Sequence, residues 1–184
     1  MTRSNVQALH EAIETGACDE ATIAALEACV AEQGAEGYYD REVNKYLLKL
    51  YTCIPERLNF EYVVNVLVLA MMRLPGKDLL AFQLLIPLSY ESNERVKVVL
   101  DCIKTLESGQ FQKFWADKNA QSATGVFNAS GFDDAIRGFI FGNVCDTFRD
   151  IKVSSFKAML NLEGTAEYES FCHRNKSAIL SVCV

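Results

Sequence analysis

The sequence predicts a mainly α protein in two parts, a helical-repeat domain of the HEAT or TPR type over residues 1–128 and a winged-helix domain over residues 129–184. Two observations predict this layout. Apolar residues recur at spacings of three and four through the first two-thirds of the chain, with brief breaks between the runs. A polar stretch over residues 119–130, rich in small side chains, then separates this series from a region with a different rhythm.

Four predicted helices open the chain. The apolar stripes of the first three are Val6, Leu9 and Ile13; Ile23, Leu26 and Val30; and Val43, Tyr46, Leu47 and Leu50. These helices are expected to end near Gly16, between Gly34 and Gly37, and before Pro55. The fourth, over residues 60–74 with Asn59 as its N-cap, is apolar on nearly every side. A helix of that composition must be covered all round, which predicts a place at the centre of the bundle.

Three more helices complete the predicted repeat domain. One begins at Asp78 and ends or kinks at Pro87. The next is capped by Asn93 and ends at Gly109. A short aromatic helix follows over residues 111–118. Short helices in antiparallel pairs are typical of HEAT or TPR arrays, although these repeats share no clear sequence period.

The last part of the chain predicts the order helix, short strand, helix, turn, helix and strand, which is that of a winged helix. Ser130 and Asp133 resemble a capping arrangement for the first of these helices. Residues 150–153 read as short and extended, and Ser154 is expected to cap the helix that follows. Residues 179–184 are β-prone and predict the closing strand.

Charge is distributed unevenly along the chain. The whole chain contains 18 basic and 24 acidic residues, a formal net charge of −6. Residues 1–40 hold eight acidic and one basic residue, which gives −7, and the remaining residues hold sixteen and seventeen, which gives +1. The N-terminal helices therefore present an acidic surface that nucleic-acid phosphates would repel.

Neither the apolar runs nor the cysteines indicate a membrane or secreted protein. The longest apolar run, Val66–Met72, is far shorter than the roughly 20 residues of a spanning helix. The N-terminus lacks the apolar core of a signal peptide. Seven cysteines without a CxxC pattern are typical of reduced, buried thiols. We therefore expect a protein of the cytosol or nucleus, with no membrane association.

Residues that could form a catalytic centre are scarce. No nucleotide-binding, hydrolase or metalloprotease motif occurs, and His10 and His173 are the only histidines. Cys172 and His173 are neighbours, so on a helix they point about 100° apart. Zinc held by these two residues with Cys145 and Cys183 would match no usual ligand spacing. We therefore predict no catalytic residue, cofactor, metal or small-molecule ligand.

A winged helix raises the question of nucleic-acid binding. Residues 131–184 contain seven acidic and six basic residues, and the helix in the recognition position offers Glu167 and Glu169 against Arg174. Each phosphate contact needs a positive side chain, and a nearly neutral region has few that are not balanced by acidic ones. We therefore expect a protein-docking module that does not bind DNA. A winged-helix nucleic-acid-binding protein is the alternative of a different class.

Three stretches, in this order and at similar spacing, resemble one family. They are Tyr39-Asp40 with Asn44, Leu48–Tyr51 and Pro55; Leu106-Glu107 with Phe111–Trp115; and Gly131–Ile140. Together they are similar to the k subunit of eukaryotic translation initiation factor 3. The resemblance covers residues 39–140, and the regions on either side fit the family by pattern alone.

The resemblance implies a PCI-like layout and a non-catalytic scaffold subunit that acts in translation initiation in the cytoplasm. It implies other initiation factor 3 subunits as partners, notably l and possibly e, and mostly indirect contact with the small ribosomal subunit. Phe111, Phe114, Trp115 and Phe132 are then expected to seal the junction of the two domains. The equivalent small subunit of the proteasome lid or the COP9 signalosome is the nearest alternative.

The predicted C-terminal strand is the candidate partner-binding site. It carries Ile179, Leu180, Val182 and Val184. A strand with unpaired backbone groups can add to the sheet of a neighbour. Family members continue into a polar tail and a further helix, whereas this sequence ends at Val184. If the resemblance holds, we expect either that this helix is lost in the lineage or that docking depends on the winged helix alone.

Overall fold

The computed structural model describes residues 3–162 and 164–175; at residues 3–5 and 165 the backbone alone is described. Within these residues the chain is mainly helical, which confirms the predicted class. Ten α-helices follow one another: α1 Arg3–Thr15, α2 Glu20–Glu36, α3 Arg41–Cys53, α4 Phe60–Met71, α5 Asp78–Leu85, α6 Glu94–Glu107, α7 Phe111–Ala120, α8 Phe132–Thr147, α9 Val153–Leu160 and α10 Thr165–Arg174. Each lies where the apolar spacing predicts a helix.

Side-chain caps explain where several helices begin. An Asp or Asn precedes the first turn, and its side-chain oxygen accepts hydrogen bonds from backbone N–H groups that have no partner within the helix. The capping residues are Asp19 for α2, Asp40 for α3, Asn59 for α4 and Asn93 for α6. The caps predicted at Asn59 and Asn93 are therefore confirmed.

The caps predicted at Ser130 and Ser154 are wrong. Gly131 precedes α8 with a φ of 75°, and no side chain caps that helix. Lys152 precedes α9, so Ser154 lies inside the first turn instead of before it. The sequence pattern of a cap is thus present at both places, but α8 begins one residue after the predicted position and α9 begins two residues before it.

α4 lies at the centre of the helical array, as its composition predicts. It packs against α2, α5 and α6, and every residue from Val66 to Met71 is buried. β-branched side chains at Val63, Val64, Val66 and Val68 fill the space between these neighbours. Burial of each large aliphatic side chain contributes about 1.5–3 kcal/mol before the cost of ordering the chain. The array is completed by α1 against α2 and α3, and by α3 against α5.

The polar stretch over residues 119–130 packs back on the helical array. The backbone N–H of Ser130 donates to the carbonyl of Gly34 at 2.9 Å, near the end of α2. Val126 is buried, and Phe127 and Ala129 pack against the core. The composition of this stretch is that of a linker, yet a backbone hydrogen bond joins it to α2 and its few apolar side chains pack on the core. The division into domains at residue 128 stays a prediction.

α8, α9 and α10 form the C-terminal part of the described chain. Each contributes one phenylalanine to a cluster of rings, with centroids 6.1 Å apart for Phe141 and Phe156, 5.4 Å for Phe141 and Phe171, and 6.4 Å for Phe156 and Phe171. Ile151, buried between α8 and α9, forms an isolated β-bridge. Residues 176–184 lie outside the described residues. The closing strand, and with it the winged helix, stays a prediction.

Candidate functional site

Polar side chains with catalytic potential are dispersed over the described part of the chain. There, no group of three or more His, Cys, Asp or Glu side chains comes close enough together to hold a metal ion. Cys172 and His173 are successive residues of α10, and Cys183 lies outside the described residues. His10 contacts the Asp40 carboxylate at 2.7 Å, which attaches α1 to the start of α3.

The described cysteines include two buried, two exposed and two partly buried thiols. Cys29 and Cys102 are buried, and burial raises the pKa of the Cys102 thiol to about 12. Contrary to the expectation of buried thiols, Cys18 is exposed in the break between α1 and α2, and Cys53 is exposed at the end of α3. A high pKa keeps a thiol protonated and unreactive at neutral pH. The buried thiols thus serve as packing groups.

A buried amide pair joins α2 to α3. Gln33 and Asn44 are both fully buried, and each amide donates to the carbonyl oxygen of the other at 3.0 Å. The Gln33 Oε1 atom also accepts from the backbone N–H of Asp40 at 2.8 Å. Buried amides are tolerated only when their hydrogen bonds are satisfied, so this pair fixes the register of the two helices. It gives a structural role to Asn44 in the first family-like stretch.

The residues just before α3 connect three helices. The Tyr39 hydroxyl donates to one Asp78 oxygen at 3.0 Å, and Arg41 Nε donates to the other at 2.7 Å. Arg73 lies over the Tyr39 ring at 5.5 Å from its centroid. Because Asp78 begins α5 and Asp40 binds His10 of α1, this segment holds α1, α3 and α5 together. Its polar contacts therefore have a structural role.

The four predicted junction residues lie on α7 and α8. Phe114, Trp115 and Phe132 are buried, and Phe111 is half-buried against the core. Phe114 and Trp115 meet edge to face at a centroid distance of 5.2 Å. Phe132 packs on Phe127 of the preceding stretch at 5.2 Å. Whether these residues separate two domains stays a prediction.

Trp115 is the centre of a contact between α7 and α9 that the sequence did not predict in detail. Its indole N–H donates to the carbonyl of Met159 at 2.9 Å. Arg137 of α8 lies 5.6 Å from the centroid of the Trp115 ring and donates through Nε to the carbonyl of Leu160 at 3.2 Å. These carbonyls belong to the last turn of α9, whose acceptors have no partner within the helix. Indole and guanidinium therefore replace water at this helix end.

Three exposed leucines are the surface feature that the sequence reasoning missed. Leu80, Leu84 and Leu88 are 59%, 80% and 81% exposed, although the apolar composition of residues 79–86 suggests a buried helix. Leu79 and Phe82 of α5 are buried in the core, and Ala81 and Leu85 pack against it. The sequence does contain a signal for this exposure. The eight residues of α5 are apolar on two faces, and only one of these faces can pack against α4.

The N-terminal helices expose acidic side chains, and two of their carboxylates contact other residues of the chain. Tyr51 donates to the Glu27 carboxylate, and Arg57 contacts Glu20 at 2.6 Å. The exposed acidic side chains of the first two helices and their connection are Glu11, Glu14, Asp19, Glu20 and Glu36. The predicted partner-binding residues Ile179, Leu180, Val182 and Val184 lie outside the described residues.

The described structure is that of a helical protein packed around one hydrophobic core, and in the described residues no helix is both long and apolar enough to cross a membrane. Residues 57–176 match the CSN8/PSMD8/EIF3K family. "Eukaryotic translation initiation factor 3 subunit K" of Drosophila persimilis is 32% identical over 150 residues, which are 82% of this chain and 67% of the relative. The same-named protein of Drosophila yakuba is 32% identical over 151 residues, with the same shares. The chain belongs to the CSN8/PSMD8/EIF3K family.

Proposed function

We propose that this chain is a non-catalytic scaffold subunit of eukaryotic translation initiation factor 3 that acts in the cytoplasm. The observation that carries the proposal is the identity of 32% to subunit K proteins across 82% of the chain. The helical array supports it, because its described polar contacts hold helices together and do not converge on a reaction centre. The role is then to join other subunits and, mostly through them, the small ribosomal subunit.

The proposal includes a helical-repeat domain over residues 1–128 and a winged-helix domain over residues 129–184. The contact of Trp115 with the last turn of α9 supports a fixed junction between them. Lys118 of α7 and Asp133 of α8, 2.8 Å apart, add an ion pair to the same place. A fixed junction would let a partner bound to one domain be held at a constant orientation to a partner bound to the other.

We further propose that the C-terminal strand docks on a neighbouring subunit, l in the first place and possibly e. Such a strand would present unpaired backbone N–H and C=O groups to the neighbour, together with the apolar side chains of Ile179, Leu180, Val182 and Val184. Val182→Pro removes one ladder hydrogen bond and should reduce recovery of subunit l in a pull-down. Val182→Ala is the matched control, since it keeps the N–H group. Unchanged recovery with Val182→Pro would count against pairing through this strand.

The acidic N-terminal surface is proposed to meet a basic surface of the complex. Exposed carboxylates on α1 and α2 support this, because contacts between exposed charges steer association and weaken in salt. Assembly should then be weaker at 0.5 M than at 0.1 M salt. Assembly that is insensitive to salt would remove this part of the proposal.

Affinity purification of the tagged chain, followed by mass spectrometry, tests the function. Recovery of the other initiation factor 3 subunits is expected. The family description also names CSN8 and PSMD8, which makes the equivalent small subunit of the COP9 signalosome or the proteasome lid the second candidate. Recovery of either of those assemblies, without initiation factor 3, would favour this second candidate.

A further inference from the structure

The side chains of Leu80, Leu84 and Leu88, called the leucine surface below, are exposed to solvent. They are three of the five large hydrophobic side chains that are exposed in the described part of the chain. Leu80 and Leu84 are one turn apart on the outer side of α5, and Leu88 stands in the 3-10 turn that follows. Clustered exposed leucines of this kind mark interaction surfaces, whereas scattered ones do not.

Positive charge borders the leucine surface. Arg41 of α3 reaches Asp78 at the start of α5, and the Thr52 hydroxyl donates to the Leu85 carbonyl at its end, at 3.2 Å. The two helices thus run side by side in the same direction. Lys45 and Lys49 follow Arg41 at successive turns of α3, and both are exposed.

Basic residues also lie just before the start of α5. Arg73 and Lys77 are exposed in the connection that leads into α5. The acidic residues of α3, of this connection, of α5 and of the following 3-10 turn are Glu42, Asp78 and Glu91; Arg41 contacts Glu42 and Asp78, and Lys45 also contacts Glu42. Five basic against three acidic residues leave +2 around the leucine surface, in a chain of net charge −6. This local sign is opposite to that of the chain as a whole.

From this geometry we infer that the leucine surface binds an amphipathic helix of another polypeptide, whose apolar face is bordered by Asp and Glu. The apolar rows of such a helix recur every three or four residues and match leucines one turn apart. A β-strand has no edge to join here, because the backbone of α5 is hydrogen-bonded within its own helix. Because the residues around the leucine surface carry a net positive charge, the residues that flank the apolar face of the partner helix should be acidic.

The competing occupants fit less well. A lipid surface needs a long apolar face, whereas α5 has eight residues and commits Leu79 and Phe82 to the core. Nucleic acid would use the basic border but would leave three leucines exposed. A second copy of the chain would bring the same net positive border to its partner, and like charges would repel. The inference does not depend on which complex the chain joins.

Fluorescence anisotropy with the full chain and two labelled synthetic peptides tests the inference. Both peptides are helices of about 18 residues with leucines at three- and four-residue spacing; glutamate flanks the leucines in one and lysine in the other. The glutamate peptide should bind at least about tenfold more tightly, and added salt should weaken it. Leu84→Glu should abolish its binding. Leu84 is 80% exposed, so circular dichroism and the melting temperature should be unchanged.

Val153→Glu is the matched control, since it places the same charge at an apolar position that is 39% exposed on α9. This variant should bind the glutamate peptide as the parent chain does. Equal binding of the two peptides, or binding of neither, would overturn the inference. So would binding to phosphatidylserine vesicles without peptide binding, or a dimer of the chain that Leu84→Glu dissolves.

Discussion

The buried pair of Gln33 and Asn44 allows a double-mutant cycle with an unusual expected sign. Asn44→Leu leaves one amide group of Gln33 with no contact other than the Cys29 sulfur at 3.9 Å. Gln33→Leu leaves both polar atoms of Asn44 and the backbone N–H of Asp40 without partners. The double variant leaves the Asp40 N–H alone.

The magnitudes follow from the number of groups left without a partner. At about 1 kcal/mol for each, Asn44→Leu should lower the free energy of unfolding by about 1 kcal/mol, Gln33→Leu by about 3 kcal/mol and the double variant by about 1 kcal/mol. Adding Asn44→Leu to Gln33→Leu should therefore stabilise the protein. Urea unfolding measures all three free energies.

A control and a clear contrary outcome complete this experiment. Thr105→Val removes another buried polar group, but its hydroxyl bonds the Cys102 carbonyl in its own helix. The loss in free energy of unfolding from Thr105→Val should add to the loss from Asn44→Leu, because α6 shares no hydrogen bond with Gln33 or Asn44. If the costs of Gln33→Leu and Asn44→Leu also add, the two amides do not depend on each other and the argument is wrong.

Other predictions rest on single groups. Trp115→Phe should lower the free energy of unfolding in urea by about 1–3 kcal/mol, since the Met159 carbonyl loses its donor; a change below about 0.5 kcal/mol would refute the contact. Iodoacetamide at pH 8 should label Cys53 in the folded chain and Cys102 only after unfolding, by peptide mass spectrometry; equal labelling would contradict the burial. Burial raises the pKa of Cys102 from 9.0 to about 12 and that of Tyr51 above 10.0. The free energy of unfolding should therefore be constant below pH 9 and fall above it, because the unfolded chain loses protons that the folded chain keeps. The fall should be up to about 1.4 kcal/mol per pH unit for each group. A level profile from pH 8 to 11 would contradict this.

Helix positions could be predicted because their signals are local. Asn59 and Asn93 cap the helices that follow them, and Gly37 ends α2 with a φ of 74°. The central place of α4 followed from its composition, since a helix that is apolar on all sides has one stable environment. The caps expected at Ser130 and Ser154 failed because α8 begins after Gly131 and α9 begins after Lys152, and the sequence does not show which backbone angles are adopted there.

Contacts between distant residues could not be predicted. Composition alone gave no reason for Gln33 to face Asn44, or for the Trp115 indole to reach the last turn of α9. The exposure of Leu80 and Leu84 also depends on how many helices surround α5, which periodicity does not reveal. The candidate site at residues 179–184 lies outside the described residues and remains a prediction from β-propensity.

Size-exclusion chromatography of a native extract, with quantitative mass spectrometry of each fraction, tests the central claim most directly. The chain has a mass of 20.5 kDa, far below that of a multiprotein initiation factor. The account predicts that the chain elutes at high mass, in the same fractions and in constant ratio with the other initiation factor 3 subunits. Elution at its own mass, or together with a different assembly, would contradict the account.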